Sequence, residues 1–220
     1  EIKNPLGGIR GAAQLLDREL HNEDQKEYTQ VIIAEADRLR TLVDRMLGPN
    51  KAPKLAPTNI HEVLERVKTL LEAESRGRLN FRRDYDPSLP EFQGDKEQLI
   101  QAFLNIARNA MEAAFENLAE ITGDEQPTIT FRTRALRQFT IGHKRHRLVC
   151  RVDVIDNGPG IPPDLLQNVF YPMISGRASG TGLGLSITQS IIGQHHGLVE
   201  CESEPGKTDF IIFLPLEENQ

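Results

Sequence analysis

The feature that most constrains the fold is the apolar pattern of the first fifty residues. Apolar residues recur there at alternating intervals of four and three, at Ile2, Leu6, Ile9, Ala13, Leu16 and Leu20. This spacing is typical of a helix that packs in a coiled-coil-like bundle. After a turn at residues 21–24, a similar rhythm follows at Tyr28, Ile32, Leu39, Leu42 and Met46. A hairpin of two such helices cannot bury its apolar stripe alone, so we expect two hairpins to form a four-helix bundle in a homodimer.

A cluster of helix-breaking residues separates this hairpin from the rest of the chain: Gly48, Pro49, Pro53 and Pro57. We therefore predict a helical hairpin over residues 1–50, a linker over 51–57 and a second domain over 58–220. In that domain apolar periodicity predicts helices near 63–71 and 99–113. Alternation predicts strands near 79–85, 129–134, 148–155, 198–203 and 208–214. The predicted fold class is α+β, with the second domain an α/β sandwich that carries its helices on one face of the sheet.

Charge and composition exclude several functional classes. The net charge of −6 opposes binding to nucleic acid, and no apolar run reaches the roughly 18 residues of a membrane span, so we expect no membrane contact from this chain. Cys150 and Cys201 lie in alternating apolar runs, which favours buried free thiols and a cytoplasmic, reducing setting. The chain opens at Glu1 rather than at methionine, so we expect it to be a piece of a longer protein.

A polar row on the long predicted helix is the first candidate functional feature. Asn105, Asn109 and Glu112 are spaced i, i+4 and i+7, which places them on one face, away from the apolar face of that helix. Asparagine is a poor helix former, so two of them one turn apart favour a functional role. A merely solvated face is the alternative that the pattern alone leaves open.

Two glycine clusters are the next features. Asp156 ends a predicted strand and precedes Gly158 and Gly160, so its carboxylate could accept a hydrogen bond from a ligand amine while the glycines border a flat ring; a simple tight turn is the alternative. Further on, residues 179–186 precede an apolar helical run, an arrangement that suits phosphate binding at a helix N-terminus. A dinucleotide-binding fold is excluded because these glycines do not follow a first strand with an acidic residue about 20 positions later.

These motifs together resemble the histidine kinases. Residues 105–109 resemble the N box, Asp156-x-Gly158-x-Gly160 the G1 box, residues 170–172 the F box and residues 180–184 the G2 box, in the family's order. Residues 1–5 resemble the H box immediately after its histidine, and residues 171–177 with their short lid resemble the NtrB family in particular. The resemblance implies a dimeric helical hairpin followed by a Bergerat-type (GHKL) ATP-binding domain.

The resemblance also implies the cofactors ATP and Mg²⁺ and a set of site residues. Asn109 would ligate Mg²⁺ with support from Asn105, Asp156 would accept the adenine amino hydrogen, and Thr208 would assist at the adenine. The implied ATP-binding residues are Asn105, Asn109, Asp156, Gly158, Gly160, Arg177, Thr181, Gly182, Gly184 and Thr208. Arg177, in the lid, would contact the terminal phosphate. Glu112 stands where relatives often have a basic residue, and Arg108 is the alternative source of that charge.

The family's reaction gives the catalytic residues and partners. The resemblance places the phosphoryl-accepting histidine immediately before Glu1, so Glu1 would act as general base and Asn4 would position water when the phosphorylated regulator is hydrolysed. It implies an NtrC-like response-regulator receiver domain and the PII signal protein as partners. We therefore expect this chain to bind ATP and Mg²⁺ without phosphorylating itself. Two alternatives stay open, a non-catalytic nucleotide-gated dimeric scaffold and another GHKL-type ATPase, although Asn105 replaces the glutamate with which such ATPases activate water.

The basic segment 132–147 has no place in this scheme. His143 and His146 form an H-x-x-H pattern, but no nearby cysteine or carboxylate completes a zinc site. We predict that the basic stretch at residues 143–147 is a solvated inserted loop.

Overall fold

A computed structural model describes residues 3–20, 22–46, 52–117, 126–174, 176 and 182–216. The chain divides into two compact units, Glu1–Asn50 and Lys51–Gln220. Its elements, in chain order, are α1 (Lys3–Glu19), α2 (Glu23–Met46), β1 (Ala56–Thr58), α3 (Ile60–Ser75), β2 (Asn80–Asp84), β3 (Phe92–Gly94), α4 (Lys96–Asn117), β4 (Thr128–Ile141), β5 (Lys144–Asp156), α5 (Pro163–Leu166), α6 (Gly184–Gln194), β6 (Leu198–Glu204) and β7 (Lys207–Pro215). None of the helices in the described ranges has both the length and the apolar character that crossing a bilayer requires.

The first unit is the predicted helical hairpin. Two polar contacts tie α1 to α2: the Thr29 hydroxyl donates to Asp17 Oδ1 at 2.5 Å, and Arg10 Nε lies 2.7 Å from Asp37 Oδ1. Most of the large apolar side chains nevertheless stay uncovered in the single chain. Seven of them expose between 45% and 70% of their surface: Ile9, Leu15, Leu16, Tyr28, Val31, Ile32 and Leu39. The hairpin leaves these apolar surfaces unburied, as the sequence pattern requires of an isolated copy.

The second unit is a layered α/β sandwich, which confirms the predicted fold class. Its main sheet has the strand order β2-β4-β5-β7-β6, in which only the β2–β4 pair is parallel. Alternate residues of the central strands, such as Val152, Val154 and Ile212, are fully buried because α4 and α6 pack on the sheet while α3 packs on α4. A separate two-stranded sheet pairs β1 with β3.

Two details differ from the sequence-based expectations. Ala56 and Pro57, which the sequence analysis assigns to the linker, begin β1 and pair with Gly94 and Gln93. The prediction that residues 143–147 form a loop is wrong, because β4 and β5 continue as one hairpin whose turn lies at residues 142–143, although residues 143–145 and 147 are exposed. Gln138 takes a positive φ of 54°, and beyond it the Phe139 ring stacks on Phe213 with centroids 4.7 Å apart. The packing of Phe139 on Phe213 therefore helps to order the outer part of this hairpin.

The prediction of buried free thiols is confirmed for Cys150 and holds in part for Cys201. Cys150 is buried, Cys201 is partly buried, and both are free thiols. Burial raises the pKa of each thiol to about 12, so neither is a reactive nucleophile.

Candidate nucleotide-binding site

A row of polar side chains crosses three adjacent strands at one end of the main sheet. Asp156, the last residue of β5, lies opposite Thr208 on β7, and Thr208 lies opposite Ser203 on β6. The hydroxyl oxygens of Ser203 and Thr208 are 2.9 Å apart, and both Asp156 and Thr208 are only 3% exposed. Antiparallel pairing thus brings together a carboxylate and a hydroxyl that are 52 positions apart in the sequence.

The loop after Asp156 is fastened to this row. The Gly158 amide donates to Asp156 Oδ1 at 2.8 Å, and the Ile161 amide donates to Ser203 Oγ at 2.8 Å. Asn157 fastens the start of the loop to β4, because its Oδ1 accepts from the Thr128 amide at 2.8 Å. Ser203 and Asn157 are functional neighbours that the sequence analysis missed, since only the strand register reveals their roles.

Gly158 is required by its protein neighbours. A Cβ at this position would lie 2.7 Å from Asp156 Oδ1 and 2.8 Å from Ala113 Cβ on α4. Gly160 in turn lies against the backbone of Glu204 at the β6–β7 turn. The two predicted site glycines therefore let the loop pack closely on α4 and on the sheet beside the polar row.

The two asparagines lie on α4, whose first turn is well capped. Asp95 Oδ1 accepts from the amides of Glu97 and Gln98 at 3.1 and 3.2 Å. Asn105 is half-buried and donates through Nδ2 to the Gly184 carbonyl at 3.1 Å. Asn109, also half-buried, follows one turn later, on the helix whose Ala113 contacts Gly158. Asn105 thus joins α4 to the start of α6, and Asn109 lies between that junction and the Asp156 loop along the helix.

His195 supports the same helix and was not recognised from the sequence. Its Nε2 accepts from the Asp95 amide at 2.9 Å, and its Nδ1 lies 2.8 Å from the Ile191 carbonyl. Because a carbonyl can only accept, Nδ1 carries the proton and the imidazole is the neutral tautomer. His195 is 6% exposed and links the end of α6 to the start of α4.

The N-terminus of α6 has the features of an anion site. Its N-cap residue is Leu183, whose side chain makes no capping hydrogen bond, so the first amides of this eleven-residue helix have no side-chain acceptor there. Gly184 begins the helix next to the Asn105 side chain. Backbone N–H groups and the helix dipole at such a terminus favour a phosphate group.

Met173 and Gly182, nine positions apart in the sequence, are in direct contact. The Met173 amide donates to the Gly182 carbonyl at 3.0 Å. Gly182 has a φ of 63°, and a Cβ there would lie 2.6 Å from the Met173 carbonyl carbon. Phe170 anchors the preceding residues, because its ring meets Phe210 edge-on at 6.4 Å.

Some predicted site residues fall outside the described part of the chain. Glu1, Arg177 and Thr181 lie there, and for Asn4 only its place in the first turn of α1 is described. Arg108, the alternative source of positive charge, forms an ion pair with Glu74 on α3, with Nε and Oε2 3.1 Å apart. Its charge is therefore engaged by a neighbouring helix.

The described groups fit ATP and its metal ion by their chemistry. The buried Asp156 carboxylate accepts hydrogen bonds, as an adenine amino group requires, and the amide oxygen of Asn109 is the hard oxygen donor that Mg²⁺ prefers. The open N-terminus of α6 supplies donors for phosphate. The contact between Gly158 and Ala113 holds the carboxylate loop against the asparagine helix.

Two protein-family models match the chain. Residues 94–218 match the family described as histidine kinase-, DNA gyrase B-, and HSP90-like ATPase, and residues 1–52 match the His Kinase A (phospho-acceptor) domain. The first match covers more than half of the chain and includes every described residue of the predicted ATP site.

Curated relatives and solved structures agree with these models. The sensory histidine kinase/phosphatase NtrB of Vibrio alginolyticus is 52% identical over 216 residues, which is 98% of this chain and 60% of that protein. The histidine kinase ThkA, solved in complex with the response regulator protein TrrA, is 26% identical with a TM-score of 0.62, over 98% of this chain and 59% of that one. Full-length ShkA in complex with AMPPNP shares the fold, with 23% identity and a TM-score of 0.64, over 99% of this chain and 44% of that one. The chain thus spans about 60% of the length of the curated relative.

Proposed function

This chain belongs to the histidine kinase-, DNA gyrase B- and HSP90-like ATPase family, as a sensor histidine kinase of the NtrB type. We propose that it is the ATP-binding and dimerising core of a kinase that phosphorylates a histidine preceding Glu1. The phosphoryl group then passes to a response regulator, which the same core also dephosphorylates. The name of the relative, a sensory histidine kinase/phosphatase, supports both activities.

ATP lies, in this proposal, along the groove between α4 and the ends of β5 and β7. Asp156 accepts the adenine amino hydrogen, Thr208 assists it, and Gly158 and Gly160 border the ring. The burial of Asp156 and Thr208 supports this assignment, because a hydrogen bond made away from water discriminates strongly between bases. The amides at the start of α6, with Gly182 and Gly184, face the phosphates, together with Thr181 and Arg177.

Asn109 is the proposed Mg²⁺ ligand, and Asn105 holds the α6 terminus in register with it. The ion neutralises charge on the ATP phosphates when bound. Glu1 acts as general base for the adjacent histidine, and Asn4 positions the water that hydrolyses the phosphorylated regulator. An NtrC-like receiver and the PII protein are the proposed partners, by analogy with NtrB relatives; the complex of ThkA with TrrA is an example of a kinase bound to its regulator.

The proposed oligomer is a homodimer through α1 and α2. The exposed apolar side chains of the hairpin support it, because a second copy would bury them in a four-helix bundle.

The single observation that carries the proposal is the close approach of Gly158 to Ala113, which holds the loop after the buried Asp156 against the helix that carries Asn105 and Asn109. It is tested by titrating the 220-residue chain with a fluorescent ATP analogue, with and without Mg²⁺, and by competition with ATP and GTP. Asn109→Ala should abolish the gain in affinity that Mg²⁺ gives, and Asp156→Asn should weaken ATP binding about tenfold or more and reduce its preference over GTP. Arg108→Ala removes a charge from the same helix that is paired with Glu74, and it should leave both properties unchanged.

Kinase activity needs a second measurement. A chain extended upstream to include the histidine should take up label from γ-labelled ATP and transfer it to a receiver domain, and Asn109→Ala should prevent the labelling. Nucleotide binding without labelling of that extended chain would favour a nucleotide-gated scaffold. Steady ATP hydrolysis without a phosphorylated histidine would favour the other GHKL-type ATPases. Position 105 argues against the latter, because an asparagine whose amide bonds to Gly184 cannot serve as general base.

A further inference from the structure

An open cavity lies at the end of β5 opposite the proposed nucleotide site. It has a volume of about 400 Å³ and is lined by Lys144, His146, His196 and Gly197. The first two residues begin β5, and the other two form the turn between α6 and β6. We propose that this cavity binds a small oxyanion, namely a phosphate or carboxylate group carried by a small molecule.

His146 is the main structural reason. It is only 4% exposed, yet its ring makes no hydrogen bond to any residue in the described ranges. Its ring nitrogens are not among the fully enclosed polar atoms that lack a partner in the described ranges, so they reach the open space of the cavity, where a ligand or water can complete their hydrogen bonding. Because His146 lines the cavity, an oxyanion there would accept its N–H.

The strand register directs Lys144 towards the same place. Residues two apart on a strand point to the same side, so Lys144 and His146 share one side of β5 while Arg145 points to the other. His196 faces them from the α6–β6 turn, where its φ of 58° holds it in the left-handed region. One ammonium group and two imidazoles thus converge from two separate elements.

The charge around the cavity selects anions. Arg137 pairs with Leu148 and therefore shares the side of Lys144 and His146; it is exposed and forms no ion pair with other described residues, although the whole chain carries a net charge of −6. His143 lies in the turn, and Arg145 and Arg147 lie on the other side of the strand. A metal ion is a poor occupant, because no group of three histidine, cysteine or acidic side chains suited to a metal occurs in the described ranges. The concentrated positive field attracts an anion and repels a cation.

The dimensions point to a small molecule that is distinct from the ATP of the proposed function. A cavity of about 400 Å³ lies in the usual range for small-molecule sites. Ten residues of β5 separate His146 from Asp156, so at about 3.3 Å per residue the two sites are roughly 30 Å apart. Nucleotide and oxyanion should therefore bind independently.

The test uses the 220-residue chain in a chloride buffer of constant ionic strength, titrated in separate arms with inorganic phosphate and with citrate. Imidazole resonances of His146 and His196 are followed by NMR, and affinity is measured by calorimetry. We expect saturable shifts of both rings with at least one of the two anions, and the responding arm identifies the ligand class. Lys144→Gln and His196→Asn should each weaken binding by about tenfold. Asparagine suits position 196 because it tolerates a positive φ.

Arg145→Gln is the matched control. It removes one positive charge at the neighbouring position on the other side of the strand and should change the affinity less than about twofold. If Arg145→Gln and Lys144→Gln weakened binding equally, the affinity would come from the general positive charge of the hairpin, and the proposal would be overturned. The absence of saturable shifts in both arms would also overturn it. Displacement of the anion by ATP would also overturn it, since the binding would then belong to the nucleotide groove. If the chain bound the anion but did not bind nucleotide, that result would count against the proposed function and not against the oxyanion site.

Discussion

Asp156 on β5 and Thr208 on β7 lie directly opposite each other, and both are buried where the main sheet meets the loop that follows Asp156. Their pairing joins the G1-box aspartate to the threonine of the Gly206-x-Thr208 turn, 52 positions later in the chain. The hydroxyl of Ser203, 2.9 Å from that of Thr208, extends this pair to β6 and accepts the Ile161 amide from the loop.

Replacing Thr208 with valine tests this pair. The change keeps the shape of the side chain but removes the hydroxyl, so Ser203 keeps only the Ile161 amide as a partner and the proposed adenine site loses a polar group. We expect the free energy of unfolding to fall by about 1 kcal/mol and nucleotide affinity to fall with it, measured by denaturant titration and analogue binding. Thr208→Ser keeps the hydroxyl and should retain nucleotide affinity; equal losses in both variants would assign the effect to packing.

Gly182→Ala tests the junction with Met173. The new methyl group would meet the Met173 carbonyl carbon at 2.6 Å, and alanine is strained at a φ of 63°. We expect a loss of about 1–2 kcal/mol or more in stability and weaker nucleotide binding, by thermal unfolding and titration.

Gly193→Ala provides the control within α6. A Cβ there meets nothing within 4 Å, so this variant should gain up to about 1 kcal/mol from helix propensity. An unchanged Gly182→Ala protein would mean that the backbone at this junction relaxes freely.

His195→Ala should destabilise the second unit without touching ligand. The substitution leaves the Asp95 amide buried without an acceptor and opens space between α6 and α4. We expect the free energy of unfolding to fall by about 2–4 kcal/mol in urea titrations. His143→Ala, an exposed position on the β4–β5 hairpin, should have no measurable effect. Equal stability of the two variants would contradict the bracing role of His195.

Asp209 should give the stability a distinct pH dependence. Burial, and then the nearby Asp153 carboxylate, raises the pKa of Asp209 from 3.8 to about 6. The folded state therefore holds this proton more tightly than the unfolded state, and the resulting stabilisation is lost as pH rises through 6. Asp209→Asn should remove that loss. The difference in free energy of unfolding between variant and parent should therefore be about 1–3 kcal/mol more favourable to the variant at pH 7.5 than at pH 4.

Asp84 serves as a control of opposite sign. Its hydrogen bond from Arg134 lowers the pKa of Asp84, so its contribution is present at neutral pH and is lost on acidification. Asp84→Asn should therefore leave the slope of stability against pH between pH 4 and 6 the same as in the parent protein. The curves of the parent and of Asp209→Asn should diverge in that window.

The uncovered hairpin surface predicts a dimer that a single charge can dissociate. Leu16→Asp places a carboxylate on an apolar side chain that is 51% exposed in the single chain. By light scattering, the parent chain should be a dimer and this variant a monomer at the same concentration. Gln30→Asp, at an exposed polar position on α2, should stay dimeric. Nucleotide binding should persist in both, and a monomeric parent chain would contradict the prediction.

The periodicity of apolar residues is sufficient to predict an element whose structure depends on that element alone. The spacing of apolar residues located α1, α2 and α4 and most strands, and the glycine motifs located the Asp156 loop. The sequence could not reveal residues whose roles depend on register, such as Ser203 and His195, since their partners lie on other elements.

The β4–β5 hairpin was mistaken for a loop for a related reason. Its alternation is interrupted at Gln138, whose positive φ turns the strand, and charged residues dominate beyond it. The short strands β1 and β3 were missed because three-residue strands leave too little alternation to detect, and β1 contains Pro57.

The contact between Gly158 and Ala113 has one further consequence. A glycine at position 158 lets the loop after β5 touch α4 backbone to side chain, so the wall that carries Asp156 cannot slide along the helix that carries Asn109. The spacing between the Asp156 carboxylate and the Asn109 amide, the proposed base and metal contacts, is therefore set by the fold of the chain itself. In the proposed function, adenine and Mg²⁺ would thus meet contacts whose separation is set before any nucleotide binds.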